Sequence, residues 1–361
     1  MEKRQVMDLP SPPGLETTEY RAIKLRCAGC GHVTKPAFPH WAKAPVQYGP
    51  RVHAMASYLA VHQYMPYERM AEHIRHLHGA KVSVGALVAM VKRGGQRVLP
   101  AVEEIRHLLQ RPAVVNMDET GCHVGGKLNW VHGAATDRLT VLGVYDHRGV
   151  DGIKSLKVLD EMTGIVVHDA WPAYWNAGFE TVRGHGLCNA HHLRELLAAT
   201  DLDGQRWSEP MTNLLLEMLA KRNAAMAAGR NRLQLEQVAA FEAAYDRVIR
   251  GGWRENPRRP RKRQRSKAAN LLRMLDEHRD EVLRFLHDFA VPFTNNEIEG
   301  DPRMTKLHEK ISGGWRSKDG AQTFLQVRSY LATARKQGRG MLEVLTAAFE
   351  GQPWLPAAAG P

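Results

Sequence analysis

The chain has 361 residues, enough for two or three domains with cores of their own, and 43% apolar and 24% charged residues are the proportions of an ordinary globular protein. A net charge of +12 points to a polyanionic partner, nucleic acid first. With no apolar segment behind Met1–Gln5 and no apolar run of about 18 residues, the sequence carries no signal peptide or membrane span, and its four cysteines fit a reducing cytoplasm rather than a disulfide scaffold.

Residues 1–20 are polar and contain Pro10, Pro12 and Pro13, the composition of a disordered lead-in. Cys27-Ala28-Gly29-Cys30-Gly31-His32 has the spacing of half a zinc knuckle; Cys27 and Cys30 with His32 or His40 are a local candidate for Zn2+. Residues 50–110 are helical in pattern. Pro50–Met65 carries apolar side chains at helical spacing, Pro66–His78 closes on Gly79, and Ser83 is placed to cap a third helix over Val84–Lys92. This order has the outline of a helix-turn-helix, and a plain helical bundle fits the same pattern.

From residue 113 the period shortens. Ala113–Asp118, Lys127–Ala135 and Leu139–Tyr145 are expected strands, with turns at Gly125-Gly126 and Asp137-Arg138. Gly152–Met162 reads as a helix, Gly164–His168 as a fourth strand and Thr181–Gly186 as a fifth. Three hairpin-connected strands, a helix and a further strand follow the order of a ribonuclease-H-like sheet, in which the first and fourth strands are neighbours. Helices follow over Leu193–Thr200, Met211–Ala228, Leu233–Gly251 and Lys267–Phe289. Arg254, Arg258, Arg259, Arg261, Lys262, Arg263, Arg265 and Lys267 form the densest charge block, broken by Pro257 and Pro260. It is a loop, suited either to phosphate contacts or to a solvated linker.

Three acids stand out by their settings. Asp118 ends the apolar run Ala113–Met117, Asp169 ends Ile165–His168, and Glu299 lies on a helical stretch that opens after Thr294-Asn295-Asn296. Two carboxylates at strand ends and one on a helix suit a site that holds divalent metal ions for phosphate-ester chemistry. Taken singly, each of these acids reads as an ordinary surface charge. Glu297 competes for the third position; two residues along a helix differ by about 200°, so only one of the pair can face the metals. Glu299 and Arg303 share a helix face. Cys188 and His191 supply two ligands, short of a tetrahedral zinc set; they read as structural support, a buried Cys and a hydrogen-bonded His orienting the core, or as half of a zinc site pooled with Cys27 and Cys30. Trp171 and Tyr174 suit either stacking on an unpaired base or packing against the sheet. His168 alternates to the other side of its strand and reads as structural, and Cys122 as small and partly buried.

Longer motifs run through these positions. Asp118-Glu119-Thr120, His168-Asp169-Ala170-Trp171-Pro172-Ala173-Tyr174, Cys188-Asn189-Ala190-His191-His192-Leu193-Arg194-Glu195-Leu196 and Phe293-Thr294-Asn295-Asn296-Glu297-Ile298-Glu299 appear in that order. Lys310-Ile311-Ser312-Gly313-Gly314-Trp315-Arg316-Ser317 and Ser329-Tyr330-Leu331-Ala332-Thr333-Ala334-Arg335-Lys336-Gln337-Gly338 follow. On these motifs, over about residues 22–353, the chain resembles transposases of the insertion sequence 66 family, which are bacterial DDE enzymes.

The resemblance implies an α/β fold: a ribonuclease-H-like catalytic core interrupted by a helical insertion, with a mainly helical N-terminal DNA-binding region. It implies that Asp118, Asp169 and Glu299 are the catalytic triad, holding Mg2+ or Mn2+ for DNA strand cleavage and 3′-hydroxyl strand transfer. The expected segments are the lead-in 1–20, a zinc-knuckle segment 21–48, the helix-turn-helix-like region 49–111, the first part of the core 112–192, the insertion 193–292 with its basic loop 254–267, the second part of the core 293–353 and a tail 354–361. Arg258, Arg259, Arg261, Lys262, Arg263 and Arg265 in the loop, and Lys306, Lys310, Arg316, Arg335 and Lys336 beyond the glutamate, are the expected DNA contacts. The implied partners are double-stranded DNA at the element ends and target, further copies of the chain on that DNA, and accessory element-encoded proteins, in the cytoplasm at the bacterial nucleoid. Gly300 stands where an arginine usually follows the glutamate, Pro302 lies inside the helix start, and no second Cys-x-x-Cys unit precedes Cys27. With these departures, a catalytically decayed, transposase-derived DNA-binding protein and a structure-specific nuclease on the same fold are the other readings.

Overall fold

The computed structural model describes residues 3–39, 42–175, 179–257 and 266–357, with the backbone alone at 301 and 302. In chain order, β1 (Leu25–Arg26) and β2 (Val33–Thr34) form a small antiparallel pair, followed by α1 (Pro50–Val61), α2 (Tyr67–His78) and α3 (Val84–Leu109). Proline stands at the first position of α1, where its missing N–H costs nothing. Gly79 ends α2 at φ 65°, a left-handed cap that favours glycine. Ser83 Oγ accepts the N–H of Ala86 at 3.2 Å, the expected cap of α3.

Next come β3 (Val114–Val124), β4 (Lys127–Ala135), β5 (Thr140–Tyr145), α4 (Val150–Ser155), β6 (Ile165–His168), a short 3-10 turn over Pro172–Trp175 and β7 (Gly184–Leu187). They are followed by α5 (Asn189–Asp201), α6 (Ser208–Ala227), α7 (Leu235–Glu255), α8 (Lys267–Glu277), α9 (Arg279–Val282), α10 (Arg284–His287), α11 (Asn296–Ser312), α12 (Lys318–Lys336) and α13 (Met341–Phe349). Among the described residues, no helix is long and apolar enough to cross a membrane.

The five-stranded mixed sheet has the order β5-β4-β3-β6-β7. β4 and β5 pair antiparallel, while β3–β6 and β6–β7 pair parallel. The first and fourth expected strands, now β3 and β6, are therefore neighbours. β3 does not stop at Asp118 as the sequence suggests: it runs on to Val124 and turns into β4 through Gly125-Gly126, both at positive φ, as a two-residue hairpin turn requires. The helix expected over 152–162 is shorter, because Lys157 adopts φ 55° and turns the chain out of helix. The helix expected over 267–289 is three pieces. His278 leaves helical geometry and stacks on Trp175 at 4.2 Å, and Leu283 breaks the run again.

The chain divides into two compact units: Met1–Glu104, His123–Lys127 and Leu307–Pro361 make one, Ile105–Cys122 and Leu128–Lys306 the other. In the first, α1 packs on α12 and α13, and α3 passes close to both α1 and α12. That crowding explains why α3 continues past Lys92, where the expected helix ends. A Cβ on Gly94 would lie 2.8 Å from Ser57 Oγ, and one on Gly95 3.0 Å from the Thr323 side chain, so the glycine pair marks close helix approach rather than a stop. In the second unit, helices α5–α10 share one apolar core with β6 and β7, including Ile165, Val167, Leu187, Met211, Tyr245 and Phe285. Each such buried side chain contributes roughly 1.5–3 kcal/mol relative to exposure.

Candidate functional site

The register of the parallel ladder sets the positions of the two aspartates. Val114, Val115 and Asn116 of β3 lie opposite Ile165, Val166 and Val167 of β6. Asp118 and Asp169 each stand two positions beyond the last of these pairs, so they leave the ladder side by side. Both are partly buried.

α11 supplies the third acid, and its start is tied to β3. Asn295 Nδ2 donates to the Met117 carbonyl at 2.7 Å, and Asn295 Oδ1 accepts from Asn116 Nδ2 at 2.8 Å. The Asn295 carbonyl takes the Glu299 N–H at 3.2 Å, so the residue that grips β3 also opens the turn carrying Glu299. Next to it, Ile298 packs over Gly133 of β4, where any Cβ would meet the Ile298 side chain at 2.9 Å. Glu299 is buried and Glu297 is exposed. This is the separation that helix geometry demands of residues two apart.

The three acids are near enough to influence one another, but among the described residues the oxygens of Asp118, Asp169 and Glu299 do not gather within 4.8 Å, as the ligand atoms of Cys188, His191 and Glu299 do. Burial and the charge of Glu119, then those of Asp169 and Glu299, push the Asp118 carboxyl up to about 7, against the pull of the Glu119 backbone N–H. Glu119 itself is raised, chiefly by burial. Arg148 Nε and Nη2 donate to Glu119 Oε1 at 2.9 and 2.7 Å, and Tyr174 Oη donates to Oε2 at 2.9 Å. The same guanidinium reaches Asp169 Oδ2 at 3.5 Å and lies over the rings of Trp171 and Trp130, 4.3 and 5.2 Å from their centroids. Asp169 Oδ1 accepts the Trp171 N–H at 3.1 Å. Tyr174 is therefore committed to Glu119 and is buried, stacked on His168 at 4.1 Å; it is not available to an unpaired base. Trp171 is partly exposed and lines a cleft of about 770 Å³ with Arg148, Asp169, His191, Arg194 and Lys267. His168 is fully buried, bonded to the Asp169 carbonyl and to His185, and burial holds its ring down at about 3.

Glu299 has a second set of neighbours. Oε2 pairs with Arg303 one turn along α11. Oε1 lies 3.6 Å from Cys188 Sγ and 4.0 Å from His191 Nδ1. Cys188 precedes α5 and His191 lies in its first turn, and the Asn295 N–H donates to Cys188 Sγ at 3.2 Å.

The remaining expected residues fall elsewhere. Cys27 and Cys30 are exposed in the loop joining β1 to β2, where the Cys30 backbone N–H, then that of Gly29, lower the Cys27 thiol. Among the described residues they meet no third His, Cys, Asp or Glu at ligand distance; His40 lies outside those residues. Arg258, Arg259, Arg261, Lys262, Arg263 and Arg265 also lie outside them. Lys306, Lys310, Arg316 and Arg335 are exposed and Lys336 is half-buried; Lys306 belongs to the unit that carries the acids, the other four to its companion. Cys122 is fully buried rather than partly so. Sequence reasoning gave no role to Asn116, Glu119, Arg148 or Asn295. Glu119 and Asn295 stand inside the motifs named above, whereas Arg148 has no local signal at all.

A search of curated proteins returns no match. The sequence model described as Transposase IS66 family matches residues 45–323. That span is well over half of the chain, and the chain belongs to the IS66 family of transposases.

Proposed function

We propose that the protein cuts DNA strands at the ends of an insertion sequence and joins the freed 3′-hydroxyls to target DNA, with Asp118, Asp169 and Glu299 as its metal-binding triad. The observation that carries this reading is that two aspartates leave one parallel ladder at matched register, while the helix of the third acid is tied to the same strand through Asn295, near enough for Asp169 and Glu299 both to raise Asp118. The strand order, with antiparallel β4 and β5 on one side of β3 and parallel β6 and β7 on the other, supports treating the sheet as a ribonuclease-H-like core.

The residues suit a hard divalent cation. Their donors are carboxylate oxygens, which match Mg2+ and Mn2+. Asp118 is held near neutrality by burial and neighbouring negative charge, while the nearby cation Arg148 is engaged by Glu119. Asp118, Asp169 and Glu299 would hold the ions, which when bound supply Lewis-acid activation of the attacking oxygen and relief of charge on the leaving one. The chain's own groups do the rest. Arg148, anchored on Glu119 and packed against two tryptophans, pairs with one oxygen of the Asp169 carboxylate. Arg303 fixes one oxygen of Glu299. In the first step a water oxygen attacks phosphorus at the element end, and the 3′-oxygen leaves with the proton the water gives up; in the second that 3′-hydroxyl attacks a target phosphate, whose P–O bond to the target's own 3′-oxygen breaks as that oxygen takes up the proton. Exposed Lys306, Lys310, Arg316 and Arg335 are proposed to track the DNA backbone.

Purified protein incubated with labelled element ends, plasmid target and Mg2+ or Mn2+ tests this. Joined products are expected from the wild type and none from Asp169→Asn or Glu299→Gln. Cleavage without joining would instead support the nuclease reading, and joining by either variant would remove the triad assignment.

A further inference from the structure

We propose that Cys188, His191 and Glu299 form a binding site for a soft divalent cation, Zn2+, and that filling it holds Glu299 on that side and keeps it from joining Asp118 and Asp169 around a metal. The first half stands by itself; the second rests on the triad reading above. Sγ of Cys188, Nδ1 of His191 and Oε1 of Glu299 all lie within 4.8 Å of one another. With bonds of about 2.3 Å to sulfur and about 2.0 Å to oxygen, tetrahedral zinc separates those two ligands by about 3.5 Å. The sulfur–oxygen distance here is 3.6 Å, and the nitrogen–oxygen distance of 4.0 Å needs only a small closure.

The three groups are also oriented for the purpose. Arg303 takes Oε2 of Glu299 and leaves Oε1 facing the cysteine and histidine. His191 Nδ1 is buried and makes no hydrogen bond among the described residues, a condition that native structures rarely leave uncompensated. The His191 side chain is 35% exposed and lines the cleft beside Asp169, which gives an ion a way in and leaves a fourth position for water. A sulfur and an imidazole select Zn2+ over Mg2+, whereas the aspartates favour the reverse. One carboxylate thus stands between a soft site and a hard one. As the zinc–sulfur bond forms, the thiol proton passes to solvent, and no atom changes oxidation state.

Co2+ is a suitable probe because its bond to thiolate absorbs in the near ultraviolet. The full chain carrying Cys27→Ser and Cys30→Ser is expected to bind one Co2+ with that band, and one equivalent of Zn2+ to abolish it. Cys188→Ser, folded by circular dichroism, is expected to lose the band; His191→Ala and Glu299→Gln should bind Co2+ at least about tenfold more weakly. Absence of the band, or its survival in Cys188→Ser, overturns the site. Asp118→Asn should keep the band while losing cleavage, so the site and the triad fail separately. With the natural cysteines in place, one equivalent of Zn2+ should slow Mg2+-dependent cleavage by about tenfold or more, and Cys188→Ser should escape most of that inhibition. Equal inhibition of both proteins overturns the diversion of Glu299.

Discussion

Burial and the charge of Glu119, with further pushes from Asp169 and Glu299, move the Asp118 carboxyl from its ordinary 3.8 to about 7. Between those values the folded chain binds more protons than the unfolded chain. The stability this carboxyl contributes without metal is therefore fully present below about 4 and is lost as pH rises through about 7. In EDTA, the melting temperature of the wild type is expected to fall relative to Asp118→Asn across that window, and Mg2+ should restore it. Parallel melting curves for the two proteins across the window would contradict the assignment of the charge cluster. Arg148 offers a second test. Its side chain is 36% exposed while that of Glu119 is 1% exposed, so Arg148→Ala strips the main partner from a buried carboxylate. The expected cost is about 2–3 kcal/mol in urea unfolding, below the range for a fully buried pair because the arginine keeps part of its hydration. A change within about 0.5 kcal/mol would mean that the pair is only a surface contact.

Among the elements, α11 matters most, because it carries Glu299 and is seated on β4 by the meeting of Ile298 with Gly133. Gly133→Val would put branched carbons into space that Ile298 and Leu142 already fill, each within 2.9 Å of where a Cβ would stand. The expected result is a loss of about 1–3 kcal/mol of stability, together with a fall in cleavage larger than the unfolded fraction explains. Cleavage that tracks only the folded fraction would show that α11 keeps its seat. Gly300, by contrast, has open space around its Cβ direction, and α11 runs through it unbroken.

Much of this architecture was legible in the sequence, for local reasons. Lys127–Ala135 matched β4 because Gly125-Gly126 and Asp137-Arg138 punctuate it at both ends. The far half of β3 was hidden because Glu119, Thr120 and His123 break the apolar run that marks its first half, and their strand geometry depends on the hairpin with β4. α3 ran past the expected end at Lys92, and at Gly94-Gly95 the room a side chain would need is taken by Ser57 and Thr323. At the site, the acids could be picked out as candidates from their settings. The link from Arg148 to Glu119 and Asp169 was not, because only the folding of the sheet brings it there.

At the scale of the whole molecule the excess of positive charge governs partner binding. The chain carries 50 Lys and Arg against 38 Asp and Glu. If duplex DNA is gripped through about 6–10 phosphates, its affinity should fall by about 10³–10⁵ between about 50 and 200 mM salt, measured by fluorescence anisotropy. A nearly flat salt dependence would set aside phosphate contacts as the source of binding. The claim on which the rest depends is that Asp118, Asp169 and Glu299 act as one divalent-cation cluster. Calorimetric titration of the metal-free protein with Mn2+ tests it most directly. Saturable Mn2+ binding is expected in the wild type, weakened at least about tenfold by each of Asp118→Asn, Asp169→Asn and Glu299→Gln while all three variants stay folded. Wild-type Mn2+ affinity in Asp118→Asn or Asp169→Asn, or no Mn2+ binding by the wild type, would contradict it.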